Sequence, residues 1–196
     1  MKYDPEKHCR RSIRLQGYDY SRPGAYFVTV CTRNRKCLFG EIIEGRMVLN
    51  DYGKVVAMAW DAIPRHFPDV EIDMFQIMPN HVHGIVVISA GRGTACRAPT
   101  MERFGKAVYG SLATIIRSFK SAVTKYINEL RNTPGAKLWQ RNYYDHIIRN
   151  EDELDRIRRY ISDNPAKWKL DRENPCHDLR IVRTPSLIDD DQPWMT

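Results

Sequence analysis

No apolar run in this 196-residue chain approaches the ~18 residues that a membrane span needs. The first residues, MKYDPEKHCRRSIRLQGY, hold no apolar stretch of the kind that forms a secretory leader, so a cytoplasmic protein is expected. The five cysteines (Cys9, Cys31, Cys37, Cys96 and Cys176) are odd in number, widely spaced and never arranged as CxxC. That pattern speaks against both a disulfide framework and a structural zinc site, and leaves free thiols. No GxxxxGK[ST] loop is present to cradle a nucleotide triphosphate. No internal repeat is visible, and the length suits one domain with room for a core.

What is there in excess is positive charge. Lys and Arg number 31 against 24 Asp and Glu, a net charge of +7. Such an excess fits either a polyanionic partner or an ordinary basic soluble protein. The cations gather in three places: Arg10, Arg11 and Arg14; Arg33, Arg35 and Lys36; and Arg156, Arg158 and Arg159.

The chain alternates between strand and helix patterns. SRPGAY (21–26) is turn chemistry, and YFVTVCT (26–32) is a β-branched, aromatic strand. Residues 33–50 read as one or two short strands around Glu44-Gly45. A helix follows Asn50 or Asp51 as cap, with Pro64 and Pro68 ending it. VEIDMFQIMP (70–79) and HVHGIVVIS (81–89) form an antiparallel pair joined through Pro79-Asn80, since so short a link excludes a parallel crossover. Residues 90–106 lack periodicity and read as a loop. Leu112, Ile115, Ile116, Phe119, Val123, Tyr126, Ile127 and Leu130 make one stripe of a long helix, with Tyr126 expected in the core. A short strand lies within 138–149. A last helix spans 150–165, with Asn150 as cap, acids in its first turn and Pro165 at its end. The order predicts an α+β domain, an antiparallel sheet with helices packed on one face. An arm over 1–20 precedes the domain at 21–170, and a polar tail over 171–196 follows it.

Two features carry chemistry. In MPNHVHGIVVI (78–88), His81 and His83 lie two apart on a strand and therefore share a face, which Ile85 and Val87 continue inward. Neutral imidazoles so placed suit a shared metal ion, with a third ligand from elsewhere; they equally suit a hydrogen-bonded pair near a turn. Gly84 lets another group come close. Histidine-triad nucleotide hydrolases also carry HxH on a strand, but their third histidine would fall where this chain has Ile85. The second feature is the pair Tyr160 and Asn164, four apart on the last helix and along one edge of the stripe Leu154, Ile157, Ile161. A phenol there is either a boundary residue or a nucleophile, and an amide oxygen can bind a hard metal.

Taken together, these features resemble the single-tyrosine HUH transposases of insertion sequences, named for a His-bulky-His strand motif. The similarity is greater to their bacterial branch, the REP-associated tyrosine transposases. It rests on GYDYSRPGAYFVTVCTRNR, MPNHVHGIVVI, IIRSFKSAVTKYIN and LWQRNYYDHIIRNEDELDRIRRYISDNPAKW, which together span about residues 15–170.

The resemblance implies a ferredoxin-like fold. It implies His81 and His83 as ligands of Mg2+ or Mn2+, Tyr160 as nucleophile and Asn164 at the position of a third ligand. Asn164 is shorter than the glutamine found in many insertion-sequence members. The implied reaction is cleavage and transfer of single-stranded DNA at hairpin-forming palindromes through a 5′-phosphotyrosine. The alternatives are a hairpin-binding protein without catalysis and a metal-dependent phosphodiesterase that uses water. Arg117, Lys120, Arg156 and Arg159 either line the DNA path or form solvated helix faces. Insertion-sequence relatives work as dimers, so a homodimer is one possible state.

Overall fold

The computed structural model describes residues 18–90 and 108–176. The arm up to residue 17, nearly all of the loop expected over 90–106 and the tail beyond residue 176 lie outside the described residues.

Strand β1 is Gly24–Cys31; β2 (Gly40–Ile43) and β3 (Arg46–Leu49) form a separate hairpin. Helix α1 (Asp51–Asp61) starts at Asn50, whose side chain accepts from the Gly53 amide at 3.0 Å. A short turn of helix α2 (Ile63–His66) leads to β4 (Val70–Ile77) and β5 (His81–Ile88). Helix α3 is Leu112–Arg131, β6 is Tyr144–Ile148 and α4 is Glu151–Asp163. The sheet order is β4-β5-β1-β6, and every pairing is antiparallel. Strands β1, β4, β5 and β6 with helices α1 and α3 between them make a βαββαβ unit, the ferredoxin-like topology. Among the described residues no helix is long and apolar enough to cross a membrane.

Side-chain alternation splits the sheet into two faces. Tyr26, Val28 and Val30 of β1 and Val82, Val86 and Ile88 of β5 point into the main core. There they meet Val56 and Trp60 of α1 and Ile115, Ile116, Phe119 and Val123 of α3. Phe27 and Ile85 point the opposite way and meet Ile157 and Ile161 of α4. The helices therefore divide between the faces rather than sharing one. The βαββαβ unit places α1 and α3 together, and α4 is an addition that covers the second face.

One expectation about α3 is corrected. Tyr126 is 54% exposed and Leu130 60%, although both lie on the apolar stripe. Past Val123 the covered side of the helix turns toward Ile127 and Asn128, because the return segment packs there: Asn128 Nδ2 donates to the Ala136 carbonyl at 2.9 Å, and the Thr133 amide donates to the Asn128 carbonyl. Among the described residues nothing comparable covers Tyr126.

Gly84 has its close neighbour, and that neighbour is a side chain of the main core. A Cβ there would stand 2.3 Å from Trp60 Cζ2, far inside contact distance. The indole ring thus packs directly on the β5 backbone, behind the histidines. Gly84→Ala is expected to lower the unfolding free energy by about 3 kcal/mol, the upper end of overpacking costs. Urea denaturation measures it, and a loss under about 0.5 kcal/mol would mean that Trp60 moves aside freely.

Helix α4 is held by more than its two isoleucines. Arg158 forms a two-pronged pair with Asp73 of β4, Nε to Oδ1 at 2.9 Å and Nη2 to Oδ2 at 2.6 Å. Those hydrogen bonds hold the Asp73 carboxyl below its ordinary pKa. A lowered folded-state pKa means that the pair's contribution is complete above the unfolded value of about 3.9 and fades as pH falls through the folded value. Both side chains are partly solvated, so about 0.5–1 kcal/mol is expected at pH 7. In urea titrations, wild type should exceed Asp73→Asn by that amount at pH 7 and match it near pH 2. A gap that persists in acid would assign the effect to packing instead.

Candidate metal centre and tyrosine

The link between β4 and β5 is buried, and neighbouring segments bond to it. Leu38 and Phe39 amides donate to the Pro79 carbonyl, and the Thr32 amide donates to the Asn80 carbonyl at 2.8 Å. The fully buried Asn80 side chain is pinned as well. Its Nδ2 donates to the carbonyls of Arg35 (3.0 Å) and Glu173 (2.7 Å), which fixes Oδ1 as the atom that faces His81 Nδ1 at 2.8 Å.

That orientation sets the histidine tautomer. An amide oxygen can only accept, so His81 Nδ1 carries the proton and its Nε2 presents a lone pair. His83 Nε2 lies 3.0 Å from that lone pair, while His83 Nδ1 contacts Thr29 Oγ1 at 2.8 Å. The two rings therefore converge on one point through their Nε2 atoms. His81 is fully buried and His83 nearly so. Burial pulls His83 down to about 3; burial and the neighbouring His83 and Arg35 hold His81 well below the ordinary histidine range. Both rings are neutral at pH 7, as metal ligands must be.

Tyr160 reaches the same point from α4. Its hydroxyl is 3.3 Å from His83 Nε2, and its ring packs on His83 (centroids 5.2 Å apart) and edge-on against Phe27 (6.0 Å). Burial first, then the nearby Asp171 charge, raise the phenol pKa, while a hydrogen bond donated by Asn164 lowers it. Asn164 is 4% exposed, and its Oδ1 has no hydrogen-bond partner among the described residues. The fourth arrival is Asp171, from the segment that follows α4. Its Oδ2 lies 3.7 Å from His81 Nε2.

This donor set fits a divalent cation. One ligand atom from each of His81, His83 and Asp171 lies within 4.8 Å of the others. The 3.0 Å between the imidazole nitrogens matches the spacing of adjacent ligands about 2.1 Å from an octahedral ion. Asn164, hydrogen-bonded to Tyr160, adds a buried amide oxygen that has no partner among the described residues.

His81, His83, Tyr160 and Asn164 are thus brought together as the sequence implied. The four candidate DNA contacts are not. Arg156 and Arg159 are exposed on α4, with Arg159 Nε donating to its own helix at Asp155. Arg117 and Lys120 lie on α3, across the sheet. There they line an open groove of about 910 Å³ with Lys125, Lys137 and Arg141. Lys120 donates to the carbonyls of Gln140 and Asn142, and burial draws its pKa to about 8.

Three residues of the site escape sequence reasoning. Thr29 was detectable as the polar member of YFVTVCT on the face opposite Tyr26 and Val28. Asn80 reads as a turn residue, and Asp171 as one acid among many in a polar tail.

A βαββαβ sheet with a His-x-His pair on its third strand, met by a helix-borne tyrosine, is what the resemblance to single-tyrosine transposases implies. No family model matches the chain. A Haemophilus influenzae protein described only as uncharacterized is 43% identical over 175 residues, covering 87% of this chain and 96% of its own. A second Haemophilus influenzae protein, named "Putative REP-associated tyrosine transposase", is 24% identical over 151 residues, covering 76% and 74%. A solved REP-associated tyrosine transposase bound to a REP hairpin superposes with a TM-score of 0.56 at 22% identity, over 79% of this chain and 73% of that one. The chain belongs to the same family as the 43%-identical Haemophilus influenzae protein, and it is similar to REP-associated tyrosine transposases, whose fold it shares.

The Asn80 network generates a direct test. Nitrogen-15 NMR should find His81 as the Nδ1–H tautomer, and Asn80→Ala should mix the tautomers and cost about 1–3 kcal/mol through unpaired buried groups. An unchanged tautomer in the variant would show that Asn80 does not set it.

Proposed function

We propose that this chain cuts and rejoins single-stranded DNA beside a hairpin, with Tyr160 as the nucleophile. The observation that carries the reading is the Tyr160 hydroxyl 3.3 Å from the nitrogen on which both imidazoles converge. The kinship supports the substrate class, since the solved relative is bound to a REP hairpin.

His81 and His83, with the amide oxygen of Asn164 beside them, would hold Mg2+ or Mn2+, which supplies charge withdrawal from the scissile phosphate. Tyr160 Oη attacks phosphorus in line. The Oη–P bond forms, the P–O3′ bond breaks, the phenol proton is lost, and O3′ leaves as a hydroxyl. The 5′-phosphotyrosine keeps the energy of the broken ester, so a second 3′-hydroxyl can reverse the step without ATP. Phe27 and His83 clamp the Tyr160 ring and the Asn164 hydrogen bond aims its oxygen, which is the positioning that phosphoryl transfer depends on. Arg156 and Arg159, exposed on the same helix, suit phosphates next to the cut. Arg117 and Lys120 suit a more distant part of the strand. The place of action is the cytoplasm.

Incubating the protein with a labelled single-stranded palindrome and Mn2+, followed by a denaturing gel, tests this. A covalent adduct should form, vanish with chelator and fall at least ~10³-fold in Tyr160→Phe, the loss expected when a nucleophile that acts as a unit with its site is removed. An adduct that survives in Tyr160→Phe rules out this nucleophile. Cleavage without any adduct identifies a hydrolase, and hairpin binding without cleavage identifies a binding protein.

A further inference from the structure

We propose that the segment following α4 is a built part of the metal centre, in which Asp171 supplies the site's anionic ligand and a latch of Arg35, Asn80 and Glu173 sets its position. This rests on the reading of His81 and His83 as metal ligands.

The segment is held at several points. After α4 a 3-10 turn (Trp168–Leu170) brings the Trp168 ring to 6.1 Å from the His81 ring. Asp171 Oδ1 then accepts from the Glu173 amide at 2.6 Å, a local turn that leaves the carboxylate a single orientation. With Oδ1 so engaged, Oδ2 faces His81 Nε2. Glu173 fastens the far end. Its carboxylate pairs with Arg35 Nε at 3.0 Å and accepts from Cys31 Sγ, and its carbonyl accepts from Asn80 Nδ2. Arg35 Nη1 also donates to the Arg172 carbonyl at 3.1 Å.

Asn80 is the hub. One end of its amide orients His81, and the other end holds the backbone that carries Asp171. A single side chain thereby couples the tautomer of one ligand to the placement of another. This is the role outer-sphere partners play in metal sites, where their loss costs about 10–100-fold in affinity.

The chemistry of the set also points to a cation. The Asp171 side chain is 5% exposed, and its Oδ2 faces the Nε2 of His81 at 3.7 Å. Two neutral nitrogens and one carboxylate oxygen, converging in a dry pocket, make a ligand set for Mn2+ and similar divalent ions. Compared with two imidazoles and an amide alone, the carboxylate adds a formal negative charge, which strengthens retention of the ion in the resting protein.

The test measures Mn2+ binding to the full chain, by loss of the free-ion EPR signal and by calorimetry, in wild type, Asp171→Asn, Glu173→Gln, and His81→Ala/His83→Ala. Asparagine keeps the oxygen that makes the local turn, so Asp171→Asn should fold with an unchanged metal-free melting temperature. It should bind Mn2+ at least ~10-fold more weakly and show a smaller rise in melting temperature on adding Mn2+. Glu173→Gln, a positioning change, should weaken binding severalfold with the histidines intact. If Asp171→Asn binds Mn2+ as wild type does while the histidine variant does not, Asp171 is not a ligand and the proposal falls. If the histidine variant also binds as wild type, the metal reading itself falls. Should Asp171→Asn lower the metal-free melting temperature, Asp171→Ser gives the second measurement, and wild-type Mn2+ affinity in it again overturns the proposal.

Discussion

The register between β1 and β5 is the constraint on which the rest of this molecule depends. Cys31 pairs with His81, Thr29 with His83 and Val28 with Gly84. A strand has period two, so a slip of one residue would turn both imidazoles into the main core and Val82 and Val86 out of it. Trp60 fixes the choice. Its ring needs a residue without Cβ beneath it, and among the β5 positions on that face only Gly84 offers one. The large core on one face thus aligns the ligands on the other, without any contact between them.

Because the faces are separate, they have separate tasks. The α1–α3 side contains most of the buried apolar surface, whereas the α4 side buries only Phe27, Ile85, Ile157 and Ile161 fully. Burial contributes roughly 25 cal/mol per Å², so most hydrophobic stabilisation lies on the α1–α3 side. Helix α4 is correspondingly dependent on polar ties: Arg158 to Asp73, and Glu153 to His146 and to the Arg149 amide. These ties set where Tyr160 stands relative to His83. A side chain carried on a lightly packed helix can be repositioned at little cost to the fold, and that would suit the proposed entry of a DNA strand.

The sequence announced most of this through periodicity. Alternation in VEIDMFQI and HVHGIVVI identified the central hairpin, and the i, i+4 spacing of Tyr160 and Asn164 put both on one edge of α4. What it could not announce were contacts made by residues with no local pattern. Asn80 sits in a turn that residues 32–39 and the segment around Glu173 fold over. Asp171 lies beyond the last apolar period, in a stretch with no periodicity to orient it. The placement of α4 on its own face was equally hidden, since an apolar stripe tells that a helix is covered and not which side of a sheet covers it. Tyr126 failed for the converse reason: the stripe ran on after its cover had ended.

The electrostatics of the site follow from the same geometry. Burial keeps His81 and His83 neutral and keeps the Tyr160 phenol protonated, so neither the imidazoles nor the phenol brings a charge to the point where they meet. Two guanidiniums act nearby: Arg35 is turned toward Glu173 and the Arg172 carbonyl, and the charge of Arg172 is felt at Tyr160. On the proposed reading, a phosphodiester brought to Tyr160 meets lone pairs, a phenol and the Asp171 carboxylate, offset in part by the Arg172 charge. A cation seated between the imidazoles would add positive charge at that point. On the proposed reading, substrate attraction and nucleophile activation are two consequences of one occupied site, and the positive field of the Arg-rich α4 surface would gather DNA rather than hold the reacting phosphate.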